Sequence, residues 1–156
     1  MVKVAFVFPG QGSQFVGMGK GFYDHVPAAR QLMEEANDVL GYDLASICFN
    51  GPEETLKLTE NTQPALLVHS TMALNILREN GIDSVLAAGH SLGEFSALVS
   101  AGALQFKDAV RLVRLRGQFM QEAVPVGVGT MAAIIGLEIE TLQELCDQIS
   151  EDACIV

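Results

Sequence analysis

The pentapeptide Gly89-His90-Ser91-Leu92-Gly93 constrains this chain more than any other stretch. Val85-Leu86-Ala87-Ala88 before it is a short apolar run of the kind that forms a buried strand. Glu94 to Ala101 after it reads as a helix closed by Gly102. A G-x-S-x-G set between strand and helix predicts a nucleophile elbow, a sharp turn that lifts the serine hydroxyl clear of the sheet. The flanking glycines permit that turn and leave room for a substrate carbonyl beside Ser91. Amides at the start of the next helix point to the same place and can hold a negative oxygen. Ser91 is thus the candidate covalent nucleophile. Without the flanking strand and helix, the same residues would read as a turn that merely caps a helix.

The rest of the chain alternates strand and helix signals. Val2 to Phe8 predicts a strand buried on both faces, broken by Pro9 to Gly12. Gly17, Gly19 and Gly21 predict a loose stretch, followed by a helix over Val26 to Leu40 ending at Gly41. Leu44 to Phe49 predicts a short helical turn, stopped by Asn50-Gly51-Pro52. Thr62 reads as the N-cap of a helix with Pro64 in its first turn, ending near Asn80-Gly81. Phe106 to Glu122 predicts a long helix and Pro125 to Gly129 a linker. Thr130 to Ile135 then predicts a strand, and Glu138 to Ile149 a helix. This alternation implies an α/β fold with parallel strands.

The 156 residues suffice for about one ordinary domain with a real core. No apolar run is long enough to span a membrane and no secretory signal opens the chain, so a cytoplasmic protein without a membrane partner is expected. Cys48, Cys146 and Cys154 are odd in number and scattered, which suits buried free thiols rather than disulfides or a metal site. A net charge of −10 argues against nucleic acid as a partner.

Two further stretches carry chemistry. Phe8-Pro9-Gly10-Gln11-Gly12-Ser13-Gln14 puts glycines after a strand, but Phe15 stands at the third glycine of a dinucleotide fingerprint. Met18 stands where a phosphate loop needs lysine. The remaining use of such a loop is to present backbone amides, and Gln11 and Leu92 together could form an oxyanion hole. On a helical wheel, Arg116 falls within the apolar stripe of Ala109, Leu112, Val113, Phe119 and Met120. A guanidinium there needs an anion, either a protein carboxylate in a buried ion pair or a substrate carboxylate held in its planar fork. Lys107, Arg111 and Arg114 fall on the opposite face, read as a solvated stripe or a dock for an acidic protein.

A serine nucleophile needs a base, and His25, His69 and His90 are poor candidates. His90 adjoins Ser91, but neighbouring side chains on a strand diverge. His69 lies within an apolar helix and reads as a satisfied core or pocket-wall residue, and His25 lies in a loop. Glu94 at a helix start is explained by the dipole alone, and Glu122 offers nothing more specific.

With Phe6 to Gln14, Thr62-Gln63-Pro64-Ala65-Leu66, Gly89 to Glu94 and Arg114-Leu115-Arg116-Gly117 in order and correctly spaced, the chain resembles the malonyl-CoA:acyl carrier protein transacylases of bacterial fatty acid synthesis. The resemblance covers the whole chain. It implies an α/β-hydrolase-like core over 1–126 and the start of a ferredoxin-like small subdomain over 127–156. It implies malonyl transfer from malonyl-CoA through a malonyl-Ser91 ester to the phosphopantetheine thiol of acyl carrier protein, with no cofactor, since malonyl-CoA is a substrate. In that scheme Gln11 and Leu92 give the oxyanion-hole amides, Arg116 pairs with the malonyl carboxylate, and His90 and Gln63 line the acyl pocket. Family members run to roughly twice a usual domain's length. Their catalytic histidine follows the small subdomain, so these residues are expected to be an amino-terminal portion without useful turnover of its own. A serine esterase or lipase shares the elbow but has no need of Arg116, and a non-catalytic binding fragment is the third alternative.

Overall fold

The structure is a computed structural model that describes residues 3–124, 127–129, 132 and 134–149. The chain divides into two compact units, 1–125 and 126–156. The first contains β1 (Ala5–Phe8), α1 (Lys20–His25), α2 (Pro27–Leu40), α3 (Leu44–Asn50) and α4 (Glu53–Lys57). It continues with α5 (Thr59–Glu79), β2 (Leu86–Gly89), α6 (Gly93–Ser100) and α7 (Phe106–Ala123). The described part of the second unit contains α8 (Ile139–Ile149). The described residues are therefore mostly helical, with a small parallel sheet in the first unit. None of their helices is long and apolar enough to cross a membrane.

β1 and β2 pair in parallel, with Ala5 beside Leu86 and Phe8 beside Gly89. The expectation of strands buried on both faces is corrected. Phe6 and Phe8 face inward onto Leu74 and Ala97, whereas Val7 is 76% exposed and Leu86 63% exposed. In this chain one face of the sheet is covered by helices and the other is open, so burial alternates along β1.

The main core lies among the helices. Met33 and Ala36 of α2, Leu44 and Cys48 of α3, Leu56 of α4, Leu67 and Met72 of α5, and Val110 and Val113 of α7 close into one cluster. α5 is its axis, and this is why its apolar residues from Ala65 to Val68 are all buried. The loose stretch expected at Gly17 to Gly21 already contains the start of α1 at Lys20. Burial holds Cys48 as a thiol, its pKa pushed up to about 12. Cys146 of α8 is also buried, and Cys154 lies outside the described residues.

Thr62 is not an N-cap. α5 begins at Thr59, and the Thr62 hydroxyl donates to the Leu56 carbonyl inside the core. Pro64 therefore sits within the helix and has no N–H for the Glu60 carbonyl four residues earlier. Arg114 of α7 fills the gap, donating from Nη1 to Glu60 O at 2.8 Å and to Asn61 Oδ1 at 2.9 Å, while Nη2 pairs with Glu60 Oε2 at 3.2 Å. This corrects the solvated or docking stripe at Arg114, which is an interhelical tie. Lys107 and Arg111 lie on an exposed face as expected, paired with Glu35 at 3.0 Å and with Asp108 at 3.1 Å.

The apolar stripe of α7 is also reapportioned. Ala109, Val110, Val113 and Gly117 are buried, while Leu112, Leu115 and Phe119 are exposed. Of the strand expected over 130–135, Thr130, Met131 and Ala133 lie outside the described residues, and Ile134 and Ile135 are not in a strand.

Candidate active site

The elbow forms as the sequence demands. Ser91 lies two residues beyond the end of β2 and has φ 52°, a left-handed backbone that a β-carbon disfavours. Gly89 and Gly93 make this possible, since a β-carbon on Gly89 would strike the Gly93 carbonyl and one on Gly93 would strike the Phe8 carbonyl. The Gly93 amide donates to His90 O at 2.9 Å, and α6 then carries the chain away from the sheet.

Ser91 is exposed, and its hydroxyl accepts from Arg116 Nη2 at 3.0 Å. Arg116 Nη1 donates to Gln63 Oε1 at 2.9 Å, and its guanidinium lies 5.9 Å from the centroid of the Phe95 ring. Among the described residues it has no carboxylate partner. Three elements thus converge on one cation: α5 through Gln63, the elbow through Ser91, and α6 through Phe95. A cavity of about 530 Å³ opens beside it, walled by Phe95, Leu112, Leu115, Phe119 and Met120.

The other expected residues are placed as follows. Gln11 is exposed in the loop after β1, its side chain donating to Thr59 Oγ1 at 3.2 Å. A β-carbon on the preceding Gly10 would lie 2.6 Å from His90 O, so this loop is pressed against the elbow. Among the described residues, neither the Gln11 nor the Leu92 amide finds an acceptor in the protein. The side chain of Leu92 is buried. His90 is exposed, with Nδ1 close beside Gly10. Gln63 is fully buried behind Arg116, with Nε2 donating to Met120 Sδ at 3.1 Å.

Among the described residues, Arg116 is the sole hydrogen-bond partner of the Ser91 hydroxyl. Neither His25, His69, Glu94 nor Glu122 bonds to it. Of the two expectations for His69, the pocket wall fits and the satisfied core residue does not: it lines a cavity with Phe6, Phe8 and Leu74, stacks on Phe22 with centroids 5.5 Å apart, and its buried Nδ1 has no partner. Burial holds its pKa below the ordinary 6.5. Sequence reasoning missed the Phe95 and Met120 contacts. It also missed the role of Arg114, although the missing N–H of Pro64 is a signal that could have found it.

A family model described as an acyl transferase domain matches residues 5–155. The malonyl CoA-acyl carrier protein transacylase of Bacillus subtilis strain 168 is 55% identical over 156 residues, covering 100% of this chain and 49% of that protein. The transacylase of the same name from Escherichia coli K12 is 49% identical over 152 residues, covering 97% of this chain and 49% of that protein. Among solved structures, a malonyl-transacylase in complex with its type II PKS acyl-carrier protein matches with a TM-score of 0.87 and 50% identity, over 96% of this chain and 49% of that one. The malonyl CoA-acyl carrier protein transacylase of Clostridium perfringens matches with a TM-score of 0.83 and 42% identity, over 94% and 46%. The chain spans about half the length of the curated relatives it matches. With the elbow, the glycine loop and Arg116 in one place, and with a family model matching nearly end to end, this chain belongs to the acyl transferase domain family.

Proposed function

We propose that this chain carries the nucleophile and the carboxylate-recognition group of a malonyl-CoA:acyl carrier protein transacylase. The observation that carries the reading is the 3.0 Å contact between Arg116 Nη2 and Ser91 Oγ, made by a cation that has no carboxylate partner among the described residues. A serine esterase needs the hydroxyl but not the cation. An acyl group ending in a carboxylate needs both, within a few bonds of each other.

In this reading Ser91 Oγ attacks the thioester carbonyl of malonyl-CoA and its proton passes to a general base. The resulting oxyanion is held by the Gln11 and Leu92 amides, each such donor contributing about 3 kcal/mol to the transition state. The carbon–sulfur bond breaks, the base returns the proton to the CoA thiolate, and the malonyl group stays on Ser91 as an ester. Arg116 turns from Ser91 Oγ to the malonyl carboxylate. The phosphopantetheine thiol of an acyl carrier protein then attacks the ester, and the proton retraces its path. A carrier protein as the second substrate is supported by the solved complex of a similar malonyl-transacylase. The resemblance assigns the base to a histidine later than these residues. The same reading places the first unit in an α/β-hydrolase-like core, the second in a ferredoxin-like subdomain, and the enzyme in the cytoplasm without a cofactor.

Mass spectrometry of the chain after incubation with malonyl-CoA or acetyl-CoA tests this. A malonyl adduct is expected on Ser91 and absent from Ser91→Ala. Arg116→Ala is expected to cut malonyl labelling about tenfold or more while sparing acetyl labelling. Equal loss of both labels would reject the carboxylate clamp.

A further inference from the structure

Gln63 has no exposed surface, yet it stands next to the cation that faces the cavity. We propose that Gln63 is a positioning residue that governs acyl selection through Arg116: it holds Nη1 so that the rest of the guanidinium edge stays turned toward Ser91 and open to a carboxylate. The inference rests on the carboxylate-recognition reading above. It differs from pocket lining, because Gln63 touches the cation and not the space a substrate fills.

The chemistry of the two contacts fixes the amide in one orientation. A guanidinium only donates, so the amide must offer it Oε1. The amide nitrogen then points away and, being buried, requires an acceptor. Met120 Sδ, one turn beyond Arg116 on α7, is that acceptor at 3.1 Å. A thioether has no donor, so a reversed amide would set oxygen against sulfur and NH₂ against a cation, and both contacts would be lost. Gln63 therefore reads α7 at two points a turn apart and cannot flip.

The backbone sets these groups at the right depth. A β-carbon on Gly117 would lie 2.6 Å from Glu60 Cα and 2.8 Å from Thr59 O, so α5 and α7 nearly touch beside Arg116. The neutrality of the amide also matters. A carboxylate at position 63 would hold the guanidinium as firmly, but it would neutralise the charge that an incoming carboxylate needs.

The test compares the 156-residue chain with its Gln63→Glu, Gln63→Leu and Met120→Leu variants. The readouts are ¹⁵N NMR of the arginine guanidinium groups and the ratio of malonyl-CoA to acetyl-CoA bound. Hindered rotation of the Arg116 Nη groups is expected in the native chain and in Gln63→Glu, and its loss in Gln63→Leu. Should Gln63→Leu fail to fold, Met120→Leu takes its place, with faster Nη rotation and an intact circular dichroism spectrum expected. Gln63→Glu is expected to lower the binding ratio about tenfold or more. A ratio within about twofold of native in folded Gln63→Glu would overturn the proposal. So would freely rotating Arg116 Nη groups in the native chain. If the native chain shows no malonyl preference, the carboxylate reading fails, and the NMR arm still decides whether Gln63 holds Arg116.

Discussion

Ser91 is the one described non-glycine residue with a left-handed backbone, a conformation costing roughly 1–2 kcal/mol. The helices and sheet on either side hold it there, so its hydroxyl stands free of the α6 helix that follows. His69 shows the opposite economy, a polar group buried without a partner. Its folded pKa lies below the unfolded value of 6.5 because burial penalises the charged ring. Well above pH 6.5 the ring is neutral in both states and adds no pH dependence to stability. As pH falls from 6.5 toward the lower folded pKa, the unfolded chain takes up the proton first and stability drops. His69→Phe keeps the stacking on Phe22 and removes the titration. Melting temperature should therefore fall between pH 7 and about 5 in the native chain and stay flatter in the variant. The lowered carboxylates Asp24 and Asp83 act only at more acid pH, so they do not blur this window. Parallel curves for the two proteins would mean that His69 is not the group responsible.

The crossing of α5 and α7 is where local sequence and tertiary geometry meet. Pro64 deletes one helical hydrogen bond, Arg114 replaces it from the neighbouring helix, and Gly117 lets the two backbones close. Gly117→Ala is expected to destabilise the fold by about 1–3 kcal/mol, because a β-carbon would meet backbone rather than a flexible side chain. It should also lift Arg116 away from Gln63, lowering malonyl binding in the molecules that remain folded. Urea denaturation and CoA-ester binding check the two effects. Loss of stability with unchanged malonyl preference would separate packing from aim. The elbow was legible in the chain because its signal is local: a strand, two glycines and a helix fix one turn. Arg116 was legible as a cation in an apolar stripe. Which part of that stripe is buried was not, since the wheel cannot tell a core neighbour from an open cavity. Nor was the role of Arg114, because its acceptor is created by a proline about fifty residues away.

At the scale of the whole molecule two opposing forces set the behaviour in solution. Val7, Leu86, Leu115 and Phe119 offer apolar surface, and the two-stranded sheet leaves an edge on each side among the described residues. Such surfaces favour association, with about 2 kcal/mol available from covering a single phenylalanine. Against this, a net charge of −10 makes copies repel one another. Salt acts on only one side of this balance, since it shortens the Debye length from roughly 30 Å at 0.01 M to 8 Å at 0.15 M and leaves apolar burial intact. The chain is therefore expected to stay dispersed at low ionic strength and to self-associate as sodium chloride is raised, measured by analytical ultracentrifugation. Leu115→Gln with Phe119→Ser should shift that onset to higher salt while leaving helical content unchanged, because both side chains point away from the main core. Association that weakened with salt would instead identify an ion-paired contact. In that case the apolar face of α7 would not be what brings copies together.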